Sequence, residues 1–295
     1  MDQQLEVFAT VAETKNFSRA AERLHMTQPA VSQYIKSLEK SMNARLFDRS
    51  NKYVRLTKAG EVVYHHAKEI IGLYTNMHAL VDDLTNHASG LITIGASYTY
   101  GEYILPGVLK ELKQEAPDVT PAVTIGNTKE IMKLVADYEL DVGIIEGDVT
   151  HDNLSIEPFE TDAMYVIAST EHPLMAEDHC NPEELEKEVW IIREEGSGTR
   201  KMTENFFESV GIVPEKTLEF GSTQLIKESV EAGIGISFLS YWTFRKERSA
   251  GEICILNMKE SPLERNFSIV SRSLFRSKAM EVFLEKVTKK NSTHP

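Results

Sequence analysis

VFATVAETKNFSRAAERLHMTQPAVSQYIKSLEKSMNARLFDRS, residues 7–50, decides the N-terminal fold. Leu5, Phe8, Val11 and Ala12 recur at helical spacing, and Thr14-Lys15-Asn16 breaks the run. Ser18 is placed to cap a second, short helix that carries Ala20, Ala21 and Leu24 on one side. His25-Met26 turns the chain. Thr27 then caps a third helix, with Pro29 tolerated in its first turn because the earliest amides have no intrahelical partner. Val31, Ile35 and Leu38 give that helix an apolar face, and Gln28, Ser32, Gln33 and Lys36 fall largely on its other side. Asn43, a residue able to take the left-handed conformation, ends it.

Three short helices, with a tight turn before one rich in Gln, Ser and Lys, describe a helix-turn-helix. Its third helix is expected in the major groove of DNA, with N-terminal residues at the base edges. Glutamine pairs with adenine through both its donor and its acceptor, and Lys36 reaches guanine or a phosphate. The following LFDRSNKYVRL, residues 46–56, gives two short extended runs around a polar Ser-Asn-Lys tip. It reads as a β-wing whose Arg49, Lys52 and Arg55 are placed for phosphates or the minor groove. Any one of these cations alone is an ordinary solvated charge. Their combination with the helix pattern points to nucleic acid.

Charge agrees once it is divided along the chain. The 295 residues hold 32 Lys+Arg and 45 Asp+Glu, a formal net charge of −13 that by itself argues against a polyanionic partner. Residues 1–60 hold ten cations against six anions, a net +4, so the other 235 carry −17. A basic arm on an acidic body suits a protein that meets nucleic acid at one end. The composition, 41% hydrophobic and 26% charged, is that of folded domains, two or three at this length. No apolar run reaches the ~18 residues of a membrane span, and MDQQLEVFATVAETK is not a secretory signal, so a cytoplasmic protein without a membrane partner is expected. Cys180 and Cys254 cannot build a disulfide framework or a Cys-rich zinc site, and Cys180 beside His179 reads as a surface-loop thiol.

From Thr57 to about Ala88 the chain reads as one long helix free of proline, roughly 45 Å at ~1.5 Å per residue. Val63, Ala67, Ile70, Tyr74, Met77, Val81 and Leu84 are spaced 4-3-4-3-4-3, the 3.5-residue average of a coiled-coil seam. An amphipathic helix packed within one domain is the alternative. A dimer suits the chemistry better, because two recognition helices on a two-fold axis read a palindromic operator. His65, His66, His78 and His87 lie on this helix, but His65 with Glu69 lacks a third ligand, so no metal is expected.

After Ser89-Gly90, strands and helices alternate. Strands are expected at 91–96, 121–126, 141–145, 164–168, 189–193, 234–238 and 267–271, with helices at about 101–115, 128–137, 199–209, 222–231 and 277–288. This α/β alternation places a ligand at the carboxyl ends of strands. Four strand-to-helix turns there are rich in hydroxyls: 97–101, 126–128, 195–200 and 221–223. Helix N-termini with neutral donors suit a small anion, although Ser and Thr are also ordinary helix caps. Ser97, Thr99, Tyr100, Thr128, Ser197, Thr199, Arg200 and Thr223 are therefore the candidate effector residues. Arg193 and Arg200 are the nearest cations, each able to pair instead with Glu194 or Glu195. Gly233-Ile234-Gly235 lacks the third glycine of a dinucleotide fingerprint. The chain has no Gly-x-Ser-x-Gly elbow, Walker loop or zinc-ligand set, so an enzyme is not expected and no cofactor is called for.

The stretch from Phe17 to Thr57 resembles the winged helix-turn-helix of LysR-type transcriptional regulators. The matching positions include Ala20-Ala21, Leu24, Thr27-Gln28-Pro29-Ala30-Val31-Ser32, Leu38-Glu39, Leu46-Phe47-Asp48-Arg49 and Leu56-Thr57. Asn43 stands where that family usually has glycine, and Ser240 where it often has proline. By the resemblance, Thr27, Gln28, Pro29, Ser32, Gln33 and Lys36 contact operator DNA, and Arg49 and Lys52 serve the wing; Ser18 and Arg55 complete the candidate DNA-binding set. The resemblance implies a DNA-binding domain over 1–58, a linker and dimerisation helix over 59–89, and an effector-binding domain over 90–295. The last is a two-lobed fold like periplasmic solute-binding proteins, with one lobe formed by 91–165 plus 269–295 and the other by 166–268. It further implies a homodimer or homotetramer acting with RNA polymerase. REEGSGTR, residues 193–200, resembles the subgroup that contains regulators of sulfur assimilation and carbon fixation, which suits an anionic metabolite.

Overall fold

The computed structural model describes residues 3–49, 53–85, 88–176, 179–259, 261–272 and 276–289. It divides into two compact units, Met1–Asn86 with Asp137–Glu139, and the remainder. The first unit opens with α1 (Gln3–Thr14), α2 (Phe17–Arg23) and α3 (Gln28–Ser41). Phe8 and Val11 of α1, Ala20 and Ala21 of α2, and Val31, Ile35 and Leu38 of α3 close over one core with Leu46 and Phe47. At ~1.5–3 kcal/mol per fully buried aliphatic or aromatic side chain, these contacts outweigh the weak propensity of helices this short.

The ends of these helices are fixed locally. Asn16, not the expected Ser18, caps α2: its side chain accepts from the amides of Ser18 and Arg19, at 2.9 and 3.1 Å. Lys15 has φ +51°, so the chain leaves α1 through a left-handed residue that puts Asn16 two positions earlier than the sequence pattern suggested. Thr27 does cap α3, accepting from Ala30 N, and Asn43 does take a left-handed conformation, at φ +49°. β1 (Phe47–Arg49) and β2 (Val54–Leu56) pair antiparallel as the wing. The carboxylate of Glu39 on α3 accepts the amides of Leu46 and Phe47 and fixes where the wing starts. The wing tip at 50–52, including Lys52, lies outside the described residues.

Next comes α4 (Lys58–Thr85), 28 residues long. Thr57 stands outside it as a cap, accepting from Gly60 N at 3.0 Å. Gly60 is required by close approach, since a Cβ there would sit 2.0 Å from the Leu46 carbonyl oxygen. Among the described seam side chains, Val63 and Ala67 pack into the N-terminal core, whereas Ile70, Tyr74, Met77 and Val81 are exposed together with Leu73; that of Leu84 lies outside the described residues.

The larger unit contains, in order, β3 (Gly90–Ser97), α5 (Tyr98–Tyr103), α6 (Leu105–Glu115), β4 (Val119–Gly126), α7 (Thr128–Ala136), β5 (Val142–Glu146) and β6 (Ser155–Ser169). There follow α8 (Pro182–Lys187), β7 (Val189–Ile192), α9 (Gly198–Val210), β8 (Lys216–Glu219), α10 (Thr223–Glu231), β9 (Ser237–Ser240), α11 (Tyr241–Ala250), β10 (Ile253–Ile255), β11 (Leu263–Ser271) and α12 (Lys278–Lys289). The main sheet runs β10-β6-β11-β5-β3-β4, with β9 also paired to β6. The result is a two-lobed α/β fold. β3 lies parallel between β4 and β5 in the first lobe, and β7 pairs parallel with β8 in the second. β6 serves both lobes: it pairs with β11 from Ser155 to Met164 and with β9 and β10 from Met164 to Ser169.

Several expected elements change. The single helix expected at 101–115 is two, because Pro106 cannot continue a helix and α6 restarts at Leu105. The strand expected at 164–168 is the end of the 15-residue β6. The strand expected at 234–238 is β9 at 237–240, since Gly235 passes so close to Val189 that a Cβ would lie 2.2 Å from its carbonyl oxygen. Cys180 is buried rather than on a surface loop, in the same apolar cluster as Cys254, whose thiol burial pushes up.

Candidate nucleic-acid interface and effector cleft

On α3, Val31, Ile35 and Leu38 are buried and Thr27, Gln28, Pro29, Gln33 and Lys36 are exposed, with Ser32 half-buried. The Gln28 side-chain amide donates to Ser32 Oγ at 2.9 Å, which orients both polar groups at the start of the helix. Ser18 is exposed on α2. On the wing, Arg55 is exposed with its guanidinium 4.8 Å from the Tyr53 ring centroid, and Arg49 ends β1. The helix-start groups thus form a polar exposed face, while the apolar side of the same helix anchors it to the core.

In the larger unit, the strand ends carry a buried ion cluster. Arg265 on β11 donates to Glu146 Oε2 at the end of β5 and to Asp162 Oδ2 on β6, both at 2.7 Å. The same guanidinium donates to Thr199 Oγ1 at 3.0 Å and to Thr99 Oγ1 at 3.1 Å. Glu146 Oε1 accepts the Thr99 amide at 2.9 Å, and Ser240 Oγ donates to Asp162 Oδ1 at 2.7 Å. Burial drives both carboxyls up. For Glu146 the Arg265 guanidinium and the Thr99 bonds reverse this and hold it below the usual carboxylate range. For Asp162 burial wins and its carboxyl stays above that range.

Contacts between the lobes converge here. Thr199 at the start of α9 donates across to Glu146 Oε2 at 3.3 Å, while within the first lobe Thr128 Oγ1 donates to the Glu146 carbonyl at 3.2 Å. Lys129 N donates to Gly196 O at 3.2 Å. Gly198 leaves no space, since a Cβ would sit 2.5 Å from the Glu146 carbonyl oxygen and 2.9 Å from Thr128 Oγ1. Beside this cluster, Arg193 Nε and Nη2 donate to the two oxygens of Glu194 at 2.7 and 2.9 Å, and Nη1 donates to Thr223 Oγ1 at 3.0 Å.

Of the residues singled out in the sequence, Thr99, Thr128 and Thr199 surround Glu146, Thr223 holds Arg193, and Ser197 caps α9. Ser97 Oγ is buried near the Glu146 carboxylate, without a well-aligned hydrogen bond to any of the described residues. Tyr100 points into the first lobe's core, edge-on to Phe159 and Phe267. Arg200 turns away to Glu204 and Glu219, at 2.7 and 3.0 Å. Sequence reasoning missed Glu146, Asp162 and Arg265. The available signal was a charge set against the apolar runs 142–145 and 267–270, where burial is rare without a partner.

Residues 3–61 match the model of the bacterial regulatory helix-turn-helix protein, lysR family, and residues 85–291 match that of the LysR substrate binding domain. The chain belongs to the LysR family. CysL of Bacillus subtilis, an HTH-type transcriptional regulator, is 37% identical over 281 residues, covering 95% of this chain and 94% of its own length. CysL falls in the subgroup that residues 193–200 suggested. A full-length OxyR variant from Pseudomonas aeruginosa superposes with a TM-score of 0.79 at 25% identity, covering 99% of this chain and 98% of that one. The Synechocystis PCC6803 CcmR regulatory domain in complex with 2-PG has a TM-score of 0.63 at 27% identity, covering 70% of this chain and all of that one. This LysR-family chain is a transcriptional regulator, as its relatives are, and not an enzyme.

Proposed function

We propose that the protein reads a palindromic operator as a homodimer or homotetramer and answers to a small anionic metabolite bound between the lobes of its effector domain. Residues 1–58 read DNA, 59–89 join the subunits, and 90–295 sense the ligand, in the cytoplasm, with RNA polymerase as the partner downstream. Thr27, Gln28, Pro29, Gln33 and Lys36 carry base and backbone contacts, supported by Ser18, Ser32 and the wing residues Arg49, Lys52 and Arg55. The exposed row Ile70, Leu73, Tyr74, Met77 and Val81 supports association, because a continuous apolar face of this length is unusual on a monomer.

The observation that supports the effector reading is that Ser97, Thr99, Thr128 and Thr199 gather around Glu146 where the lobes meet, with Thr223 on Arg193 beside them and Ser197 at the start of α9. It gains support from the 2-PG complex of the related CcmR regulatory domain. A thermal-shift screen of sulfate, phosphate and small sulfur-containing anions tests it. A ligand at 100 times its Kd adds ~2.7 kcal/mol to stability, easily read as a shift. A screen in which neutral and cationic metabolites shift the protein and anions do not would contradict it.

A further inference from the structure

Arg193 is 2% exposed, and each of its guanidinium nitrogens is hydrogen-bonded. Two nitrogens meet the two oxygens of Glu194, the third meets Thr223 Oγ1, and the plane stacks on Tyr98 with its carbon 4.5 Å from the ring centroid. A guanidinium fork of this kind takes a carboxylate, sulfate or phosphate through two parallel bonds. Here the seat is filled by the protein's own next residue. Glu194 differs from the carboxylates on Arg265: its side chain is 24% exposed, whereas Glu146 and Asp162 are 3% and 0% exposed. Glu194 also reaches across the lobes, accepting from Asn127 Nδ2 at 3.3 Å.

Charge adds a second argument. The cleft holds Arg193 and Arg265 against Glu146, Asp162 and Glu194, so its cations are already matched by its own carboxylates. An anion pairing with Arg193 or Arg265 does so by displacing one of those carboxylates. Glu194, held by Arg193 and Asn127 and the most exposed of the three, is the one that can leave into solvent. We infer that Glu194 is an internal stand-in for the effector's oxyanion, and that the effector binds by displacing it from the fork formed by Arg193 and Thr223. The inference rests on the anionic-effector reading above and deepens it by naming the anchor and the ligand group: a two-oxygen face of a carboxylate, sulfate or phosphate. Departure of Glu194 also breaks its bond to Asn127, so ligand exchange alters a contact between the lobes. A ligand can shift the lobes only by contacts that differ between the two states, and this exchange supplies one.

Calorimetric titration of the full-length protein with sodium sulfate and inorganic phosphate, at ionic strength held constant with chloride, tests the inference. Glu194→Gln keeps the shape and removes the competing charge, and binding at least tenfold tighter than wild type is expected. Asn127→Ala, which loosens Glu194 without touching the fork, is expected to tighten binding by a smaller factor and guards against a misfolded Gln variant. Thr223→Val in the Glu194→Gln background is expected to reverse part of the gain. If wild type and both single variants bind these anions equally, the stand-in is overturned while the anionic-effector reading survives. If none of them binds either anion, both fail together.

Discussion

The Arg265 cluster makes an asymmetric prediction for two carboxylates that touch the same guanidinium. Glu146 accepts Thr99 N on one oxygen and Arg265 Nη1 and Thr199 Oγ1 on the other. In Glu146→Gln, either orientation of the amide sets its NH2 against a buried donor. Losing one member of a buried charge pair costs ~3–5 kcal/mol, out of a total of ~5–15 for a domain. Asp162→Asn is different. Its oxygen can still accept Arg265 Nε, and its NH2 can donate to Ser240 Oγ, whose hydroxyl rotates to accept. Burial also disfavours the Asp162 carboxylate relative to the unfolded chain, so a neutral amide there should cost less than at Glu146, about 1 kcal/mol. Both tryptophans, Trp190 and Trp242, lie in the effector domain, so their fluorescence during denaturation of the full chain reports this domain alone. A Tm lower by roughly 6–20 °C is expected for Glu146→Gln, at ~2–4 °C per kcal/mol, with a shift of a few degrees for Asp162→Asn. Acid titration separates them again. The depressed Glu146 carboxyl stabilises above the unfolded value near ~4.3 and loses that contribution as pH falls through its lower folded value. The raised Asp162 acts oppositely, stabilising at low pH and less as pH rises. Glu146→Gln should therefore flatten the acid-side loss and Asp162→Asn should steepen it. Equal losses from the two variants, or a larger one from Asp162→Asn, would refute the reasoning.

Two further outcomes test other parts of the account. Gly198→Ala forces a methyl against the Glu146 carbonyl and Thr128 Oγ1, so a loss of about 1–3 kcal/mol is expected by the same fluorescence measurement, and an unchanged midpoint would show that the lobes give way freely. Met77→Glu places a charge in the exposed apolar row of α4 and should halve the sedimenting mass at micromolar concentration. An unchanged mass would move the subunit contact elsewhere.

Legibility followed the kind of signal each part carries. The N-terminal unit was readable almost residue by residue, because helix faces, caps and turn residues are local. Its one slip, Ser18 for Asn16, came from a left-handed Lys15 that no local preference announces. The first two positions of the 4-3 spacing serve the domain's own core, because periodicity cannot tell one buried face from another. In the effector domain most strands were legible, and of the hydroxyls at their ends Thr99, Thr128 and Thr199 lie around Glu146. The ion cluster was invisible because Glu146, Asp162 and Arg265 are far apart in sequence and join only through the pairing of β5, β6 and β11. Tyr100 fell out for the same reason, its partner Phe267 lying on another element, whereas Arg200 pairs with Glu204 on its own helix as well as with Glu219.

The central claim is that a basic head reads DNA while an acidic body does not, and operator affinity measured against salt tests it most directly. Fluorescence anisotropy of a labelled inverted-repeat duplex should show affinity falling by on the order of 10³ or more between ~50 and 200 mM salt, as expected for six or more phosphate contacts. Lys36→Ala should weaken binding and lower the salt slope by about one for each phosphate contact removed. Affinity that ignores salt, or a Lys36→Ala protein indistinguishable from wild type, would contradict the account.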